Sequence, residues 1–155
     1  MAKEITQKDL WNRAIGLLSR REYSKAELRN KLLLISENLD VEPVLHELEA
    51  EGYQSDERFV DSFLRMRIAQ GHGLMRIRFD LKRKGVDEGL IEDALVANDV
   101  DWYELALALY QRKYALSSKP LDYKGRAKRV RFMSQRGFSF EEIHYAESNA
   151  SEPVN

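Results

Sequence analysis

Apolar residues recur along nearly the whole chain at the three- and four-residue spacing of an amphipathic helix. Trp11, Ala14 and Leu18 begin the first such stripe, and the same spacing is still present at Ile143 and Ala146. We find no stretch that sustains the apolar and polar alternation of a half-buried strand. The pattern therefore predicts an all-α protein.

Capping and turn residues divide this pattern into groups of three helices. Ser24 and Glu27 have the spacing of a capping box, Pro43 suits the first turn of a helix, and Gly52 ends the first group. Ser55 then has the position of a new helix cap. The predicted units are three-helix repeats at residues 1–53, 54–99 and 100–148, followed by a tail at 149–155 whose composition indicates disorder.

Short recurring phrases support the division into repeats. RIRF at residues 76–79 returns as RVRF at 129–132, and ELRN at 27–30 is a weaker copy. When ELRNKL is aligned with RIRFDL, Leu28 falls on Ile77 and Leu32 falls on Leu81. The resulting period of about 50 residues is long enough for a three-helix unit. Because units this small bury little surface alone, we expect three tandem repeats packed into an elongated, curved array.

Composition indicates the cellular compartment in which the protein is expected. The 155 residues are 43% hydrophobic and 33% charged, and none is cysteine. Disulfides and thiolate chemistry are thereby excluded, and a reducing compartment is expected. No segment approaches the run of about 18 apolar residues that a membrane helix needs, and the first residues lack the apolar core of a signal peptide. The sequence predicts a cytoplasmic protein without a membrane partner.

The sequence carries no recognisable catalytic or metal-binding motif. His46, His72 and His144 fall in different repeats, and none has a second ligand at metal-binding spacing. The glycines around His72 lack the rest of a phosphate-binding fingerprint and are better explained as an interhelical turn. We therefore predict that the protein is not an enzyme and holds no cofactor or metal.

Charge is segregated along the chain, although the formal net charge is only −1. No acidic residue occurs from Tyr123 to Phe140, whereas six lysines and arginines do. The residues that follow Phe140 contain several glutamates but no lysine or arginine. The separate basic and acidic segments indicate the charge of possible binding partners better than the net charge does.

A helical projection of the second repeat places an aromatic residue among cations. With Leu74, Ile77 and Leu81 facing the core, Met75 and Phe79 lie nearly opposite, between basic side chains. The second and third repeats are basic here, but the first has Glu27 and Asn30 at the matching positions. The repeat fold itself therefore does not require basic residues at these positions. This favours a functional role for the cations over the alternative that they only form a solvated helix face.

The third repeat allows two orientations of its basic helix. Tyr123, Ala127 and Val130 can face inward, which points Phe132 outward among the cations. A modest rotation instead buries Phe132 and Met133.

Aromatic residues ringed by cations suit an acidic protein surface or a phosphate backbone with a base to stack on. The predicted partner-binding residues, with Phe79 as the anchor, are Arg76, Arg78, Phe79, Lys82, Arg83, Lys128, Arg129, Arg131 and Arg136.

Four phrases, read in order, resemble signatures of the RecX family, the bacterial regulators of the recombinase RecA. They are YSKAELRNKL at residues 23–32, EGYQSDERFVDSF at 51–63, GHGLMRIRFDLKRKGV at 71–86 and RFMSQRGFSFEEI at 131–143. The resemblance covers nearly the whole chain. It implies an all-helical array of three-helix repeats that binds RecA filaments and restrains the ATP hydrolysis, strand exchange and coprotease activity of RecA. It supplies no catalytic residues.

The resemblance implies a monomeric regulator whose partner is the RecA filament. Because some members of the family also contact DNA, DNA is a second expected partner. The main alternative is a helical module that binds single- or double-stranded DNA directly, since both basic helices could lie along phosphates. A repeat scaffold with a different protein partner is the second alternative.

Overall fold

The computed structural model describes residues 4–114 and 121–150, and within these two ranges every regular element is an α-helix. The all-α class predicted from the hydrophobic spacing is therefore confirmed. Among the helices of residues 4–114 and 121–150, we find none that combines the length and the hydrophobicity of a membrane span. The helices are α1 (Gln7–Leu18), α2 (Lys25–Leu33), α3 (Glu42–Ala50), α4 (Asp56–Ala69), α5 (Leu74–Arg83), α6 (Glu88–Asn98), α7 (Trp102–Tyr114), α8 (Tyr123–Gln135) and α9 (Phe140–Ala150).

The predicted helix starts are confirmed by their hydrogen bonds. Ser24 Oγ accepts from the Glu27 amide at 3.1 Å, and the Glu27 carboxylate accepts from the Ser24 amide at 3.1 Å. Ser55 Oγ likewise accepts from the Arg58 amide at 3.2 Å at the start of α4. A second capping box, formed by Thr6 and Asp9 at the start of α1, was not anticipated. Each pair satisfies amides that the first helical turn leaves without partners.

The structure corrects the start of the predicted tail. Helix α9 continues to Ala150, so Asn149 and Ala150 are helical rather than disordered. Asn149 Nδ2 donates to the Tyr145 carbonyl at 2.8 Å, and Ala150 packs against a buried apolar cluster. Residues 151–155, together with most of the turn predicted at SSKPLD, lie outside the described residues. The elongation and curvature predicted for the array stay predictions.

The chain forms two compact units, Met1–Phe63 with Leu81–Ala94 and Leu64–Asp80 with Leu95–Asn155. In the first unit, α1, α2 and α3 surround a core in which Leu10, Leu28, Leu32, Leu45 and Leu48 have no solvent-accessible surface. Burying a leucine side chain fully contributes about 1.5–3 kcal/mol, so this cluster is the main source of stability for the first three helices.

In the second unit, α7, α8 and α9 share a core centred on three fully buried residues, Ala106, Met133 and Ala146. Small residues on α7 and α9 let these two helices approach closely. Tyr103 and Tyr145 pack edge to face at the same contact, with ring centroids 5.5 Å apart. The Tyr145 hydroxyl also donates a hydrogen bond to Glu104.

The end of α5 is fixed to the start of α2 within the first unit. Ser24 Oγ donates to the Lys84 carbonyl at 2.7 Å, and Lys84 Nζ pairs with Glu27 at 3.0 Å. Burial acts to raise the pKa of Glu27, but hydrogen bonds from Arg21, the Ser24 amide and Lys84 outweigh it and hold this pKa below its ordinary value. Gly85 has a φ of +76°, and a Cβ there would lie 2.6 Å from the Ala26 Cβ.

A corresponding contact joins the end of α8 to the start of α5 within the second unit. The Gly73 amide donates to the Arg136 carbonyl at 2.7 Å, and the Met75 amide donates to the Gly137 carbonyl at 3.1 Å. Gly137 has a φ of +103°, and a Cβ there would overlap Arg76. A Cβ at Gly73 would lie 2.6 Å from the carbonyl carbon and oxygen of Gly137.

The two contacts use matching positions of the sequence. The turn after α5 packs on the first turn of α2, which carries ELRN. In the same way, the turn after α8 packs on the first turn of α5, which carries RIRF. A glycine at the turn provides the left-handed backbone and the space for close approach. The recurrence of ELRN, RIRF and RVRF thus coincides with a recurring tertiary contact.

We predict opposite effects for two Gly→Ala substitutions. Gly73→Ala should lower the free energy of unfolding by about 1–3 kcal/mol, because its methyl group would press on the Gly137 backbone, which has no room to yield. Gly16→Ala should raise it by about 0.4–1 kcal/mol, because Gly16 lies inside α1 with no atom near the added methyl group.

Urea unfolding of both variants and the wild type checks this pair. Equal effects of the two substitutions would show that the close approach of Gly73 and Gly137 contributes nothing specific to stability.

Candidate functional site

Helix α5 has the orientation that its sequence predicts. Ile77, in the second unit, and Leu81, in the first, are each only 1% exposed. Met75 and Phe79, on the opposite face, are 63% and 58% exposed. Large exposed apolar side chains beside charges are a feature of protein-binding surfaces. Phe79 therefore has the exposure that an anchor residue requires.

The four predicted cations of α5 differ in their surroundings. Arg76 is exposed, and its guanidinium bonds the Gln135 carbonyl at 3.3 Å and the Asp80 carboxylate at 3.4 Å. Arg78 is half-buried. Lys82 and Arg83 are exposed and belong to the first unit, where Lys82 pairs with Glu88 at 3.4 Å. The Lys82–Glu88 pair is solvent-exposed and therefore weak, and the Arg76 side chain stays 49% exposed in its pair with Asp80, so both cations are accessible to a partner.

Helix α8 corrects one of the two predicted orientations. Met133 is fully buried, whereas Tyr123 is 89% exposed and Ala127 is also exposed. The inward stripe of Tyr123, Ala127 and Val130 is therefore wrong, although Val130 is half-buried. The rotated alternative is right, because Met133 offers a larger apolar side chain to the α7 and α9 core than Ala127 does.

Phe132 is half-buried beneath cations rather than pointing outward. Lys113 Nζ lies 3.8 Å from the centroid of its ring, and the Arg136 guanidinium lies 5.3 Å from it. Tyr114 packs against the same ring edge to face at 6.2 Å. Cations held over ring faces are stabilised by about 0.5–1 kcal/mol at exposed sites.

Arg129 is engaged within the unit in a similar way. Its guanidinium lies 4.3 Å from the Tyr114 ring centroid, and its Nη1 donates to the Tyr110 hydroxyl at 3.1 Å. By contrast, Lys128 and Arg131 are exposed. Arg129 and Arg136 thus have a packing role as well as a charge, whereas Lys128 and Arg131 present their charge to solvent.

The contact between α5 and α8 brings Arg76 and Arg136 together around His72, with Arg67 from α4 as a third member. This grouping was not predicted, since Arg67 and Arg136 are far apart in sequence. Lys113 was also missed because it lies on α7, outside the basic run. The only feature of the sequence that could have pointed to Arg67 is its position shortly before the turn at Gly71 and Gly73.

The cations around His72 affect its protonation. His72 is 9% exposed, and its Nδ1 has no hydrogen-bond partner among the described residues. Burial first, and then the charges of Arg67, Arg136 and Arg76, lower the pKa of His72, while Asp80 acts weakly in the opposite direction. A charged imidazolium is therefore disfavoured in the folded protein.

We predict that His72 makes the protein less stable in mild acid. As the pH falls through about 6.5, the unfolded state binds a proton at this residue more readily than the folded state does, so the free energy of unfolding decreases. His72→Gln should give a flatter dependence of stability on pH between about 7 and 5. Urea unfolding at several pH values measures both slopes, and His144→Gln, at an exposed position, is the control.

Identical slopes for His72→Gln and the wild type would show that His72 titrates equally in both states.

Chemically, this surface offers positive charge and apolar area. No group of three or more histidine and carboxylate side chains that could hold a metal occurs within residues 4–114 and 121–150. Within the second unit, Phe79 and Met75 provide apolar contact, and the exposed Arg76, Lys128 and Arg131 attract negative charge. The arrangement is suited to binding an acidic macromolecule.

Comparison with known proteins agrees with this fold. The family model for the second three-helix domain of RecX matches residues 55–95, and that for the third three-helix domain matches residues 99–146. The regulatory protein RecX of Vibrio vulnificus is 40% identical over 88% of this chain and 89% of its own length. That of Chromohalobacter salexigens is 39% identical over 90% of this chain and 91% of its own length.

Solved structures with the same fold are similar across most of the chain. A crystal structure of a regulatory protein RecX has a TM-score of 0.76 at 24% identity and covers 92% of this chain and 73% of its own. RecX from Lactobacillus salivarius has a TM-score of 0.77 at 21% identity and covers 93% and 96%. With the two matching domain models and the identity to curated relatives, these findings establish that the chain belongs to the RecX family of regulatory proteins.

Proposed function

We propose that this protein binds RecA nucleoprotein filaments and restrains the ATP hydrolysis, strand exchange and coprotease activity of RecA. It thereby modulates recombination, DNA repair and the SOS response. It acts in the cytoplasm as a monomer, through binding and without catalysis of its own. Membership of a family of regulatory proteins supports a protein partner.

The observation that carries the proposal is the contact between the turn after α8 and the first turn of α5. It brings Arg76 and Arg136 together, although they are 60 residues apart, because the Gly73 amide bonds the Arg136 carbonyl at 2.7 Å. Neighbouring charges of one sign raise the association rate with an acidic surface. A cationic surface assembled from two repeats also gives a partner several contacts at once.

Phe79 supplies the apolar part of the proposed interface. Its ring is more than half exposed on the face of α5 opposite Ile77, with Arg78 and Lys82 nearby in sequence. Binding energy at protein interfaces is concentrated in a few residues, often aromatic or arginine. We propose Phe79 as the anchor and the surrounding cations as the groups that attract and orient the filament.

Direct DNA binding is the second candidate, and the exposed Lys128 and Arg131 on α8 favour it. Each phosphate contact would make the affinity fall steeply with salt, whereas an apolar anchor is less sensitive to salt. Phe79 is more than half exposed and offers an apolar contact that phosphate binding does not use. We therefore favour the protein partner.

We predict that Lys82→Glu with Arg83→Glu weakens inhibition of RecA. Two reversed charges at exposed positions should reduce filament affinity by about tenfold, equivalent to about 1.4 kcal/mol. The measurement is the ATPase rate of RecA on single-stranded DNA as the variant is titrated. Arg13→Glu with Arg20→Glu, at exposed positions on and just after α1, makes the same charge change outside the proposed surface.

Equal loss with both double variants would indicate a response to net charge alone and remove the site assignment. Binding to DNA without RecA is measured in parallel across a salt series. Tight binding of the wild type to DNA without RecA would favour the DNA-binding alternative, provided that the charge reversals weaken DNA binding equally with and without RecA.

A further inference from the structure

An apolar groove lies between α8 and α9 on the second unit. Its lining includes the core residue Ile143, which is 2% exposed, and Arg131, one of the predicted partner-binding cations. The groove has a volume of about 590 Å³. Ala127, Val130 and Ile143 line it, and Tyr123 and Phe140 stand at its edge with 89% and 76% of their surface exposed. Two aromatic rings left this exposed beside a concave apolar surface are a feature of a binding site.

Three charged side chains line the groove, and two of them are cations. Arg131 is exposed and lines the groove, and no ion pair to it occurs among the described residues. Arg126 and Glu147, which also line the groove, pair with each other at 2.9 Å, so Arg131 carries the unbalanced charge of the lining. The edge therefore attracts negative charge.

The dimensions of the groove suit a helix. The α8 residues that line it run from Tyr123 to Gln135, which corresponds to about 18 Å along the helix axis. Apolar residues at positions i, i+4 and i+7 of a bound helix span about 10 Å and would fit within that length. A helix with acidic residues beside its apolar stripe would match both the lining and the charge of the edge.

We propose that the α8–α9 groove binds an amphipathic helical segment of a partner protein, with its apolar stripe against Ala127, Val130 and the exposed rings of Tyr123 and Phe140 and acidic residues at its flank facing Arg131. This site is separate from Phe79 and the cations of α5. The proposal goes beyond the proposed function, since it requires neither a filament nor DNA.

A synthetic peptide tests the groove on the full-length protein. The probe is a fluorescein-labelled peptide of 18 residues with leucines at i, i+3, i+4 and i+7 and glutamates on both flanks. Fluorescence anisotropy compares it with a second peptide in which serines replace the leucines and the glutamates are kept. We expect the leucine peptide to bind and the serine peptide to bind at least about tenfold more weakly, because apolar contact supplies most of the affinity.

A matched pair of variants assigns the binding to the groove. Ala127→Arg fills the groove while adding a positive charge, so it should weaken binding by about tenfold although simple charge attraction would strengthen it. Ala108→Arg makes the same change at an exposed position of α7 and should leave binding unchanged. Tyr123→Ser, which removes an exposed ring, should weaken binding several-fold without affecting the core.

Three outcomes would overturn the proposal. The first is equal binding of the leucine and serine peptides, which would mean charge attraction alone. The second is binding by Ala127→Arg as tight as that of the wild type. The third is a dimer in analytical ultracentrifugation that Ala127→Arg dissociates, which would make a second copy of this chain the occupant.

Discussion

Two backbone amides at the start of α5 donate to two carbonyls at the end of α8, and the glycines there leave no room for a side chain. The Gly73 amide reaches the Arg136 carbonyl, and the Met75 amide reaches the Gly137 carbonyl. These bonds satisfy donors that the first turn of a helix leaves without partners and acceptors that the last turn leaves without partners. Both helix ends are therefore hydrogen-bonded by one contact, and the position of α8 in the second unit is fixed relative to α5.

The same constraint accounts for the distribution of charge in that unit. Because the two basic helices meet at their ends, Arg76 and Arg136 are close together, and the buried His72 lies among cations that lower its pKa. Arg67, Arg136 and Arg76 each act against a positive charge on His72. The first unit has Ser24, Glu27 and Lys84 at the matching contact, where the charges attract. The second unit therefore keeps several cations around one buried histidine, whereas the first unit has an ion pair at the matching contact. Because the contact can form without clustered cations, their presence in the second unit supports a function for them.

The sequence anticipated α5 better than α8. On α5, Ile77 and Leu81 are large and aliphatic, and the opposite face is basic apart from Met75 and Phe79, so the spacing indicates one buried face. On α8, the apolar residues are dispersed among five cations and do not form a single stripe. Two rotations were then compatible with the spacing, and contact with α7 and α9 decided between them by burying Met133 and leaving Tyr123 exposed. That choice also produced the apolar groove beside Ala127, which the sequence did not reveal.

Helix positions, capping boxes and the glycines that end helices were determined by the sequence itself, because they depend on residues within a few positions of one another. The family was also recognisable from ordered local phrases. Tertiary structure alone decided which side chains meet: Arg67 with Arg136 around His72, Lys113 over Phe132, and Arg129 against Tyr114. These groups lie on different helices, and their distances depend on how the helices pack, which no local spacing of residues specifies.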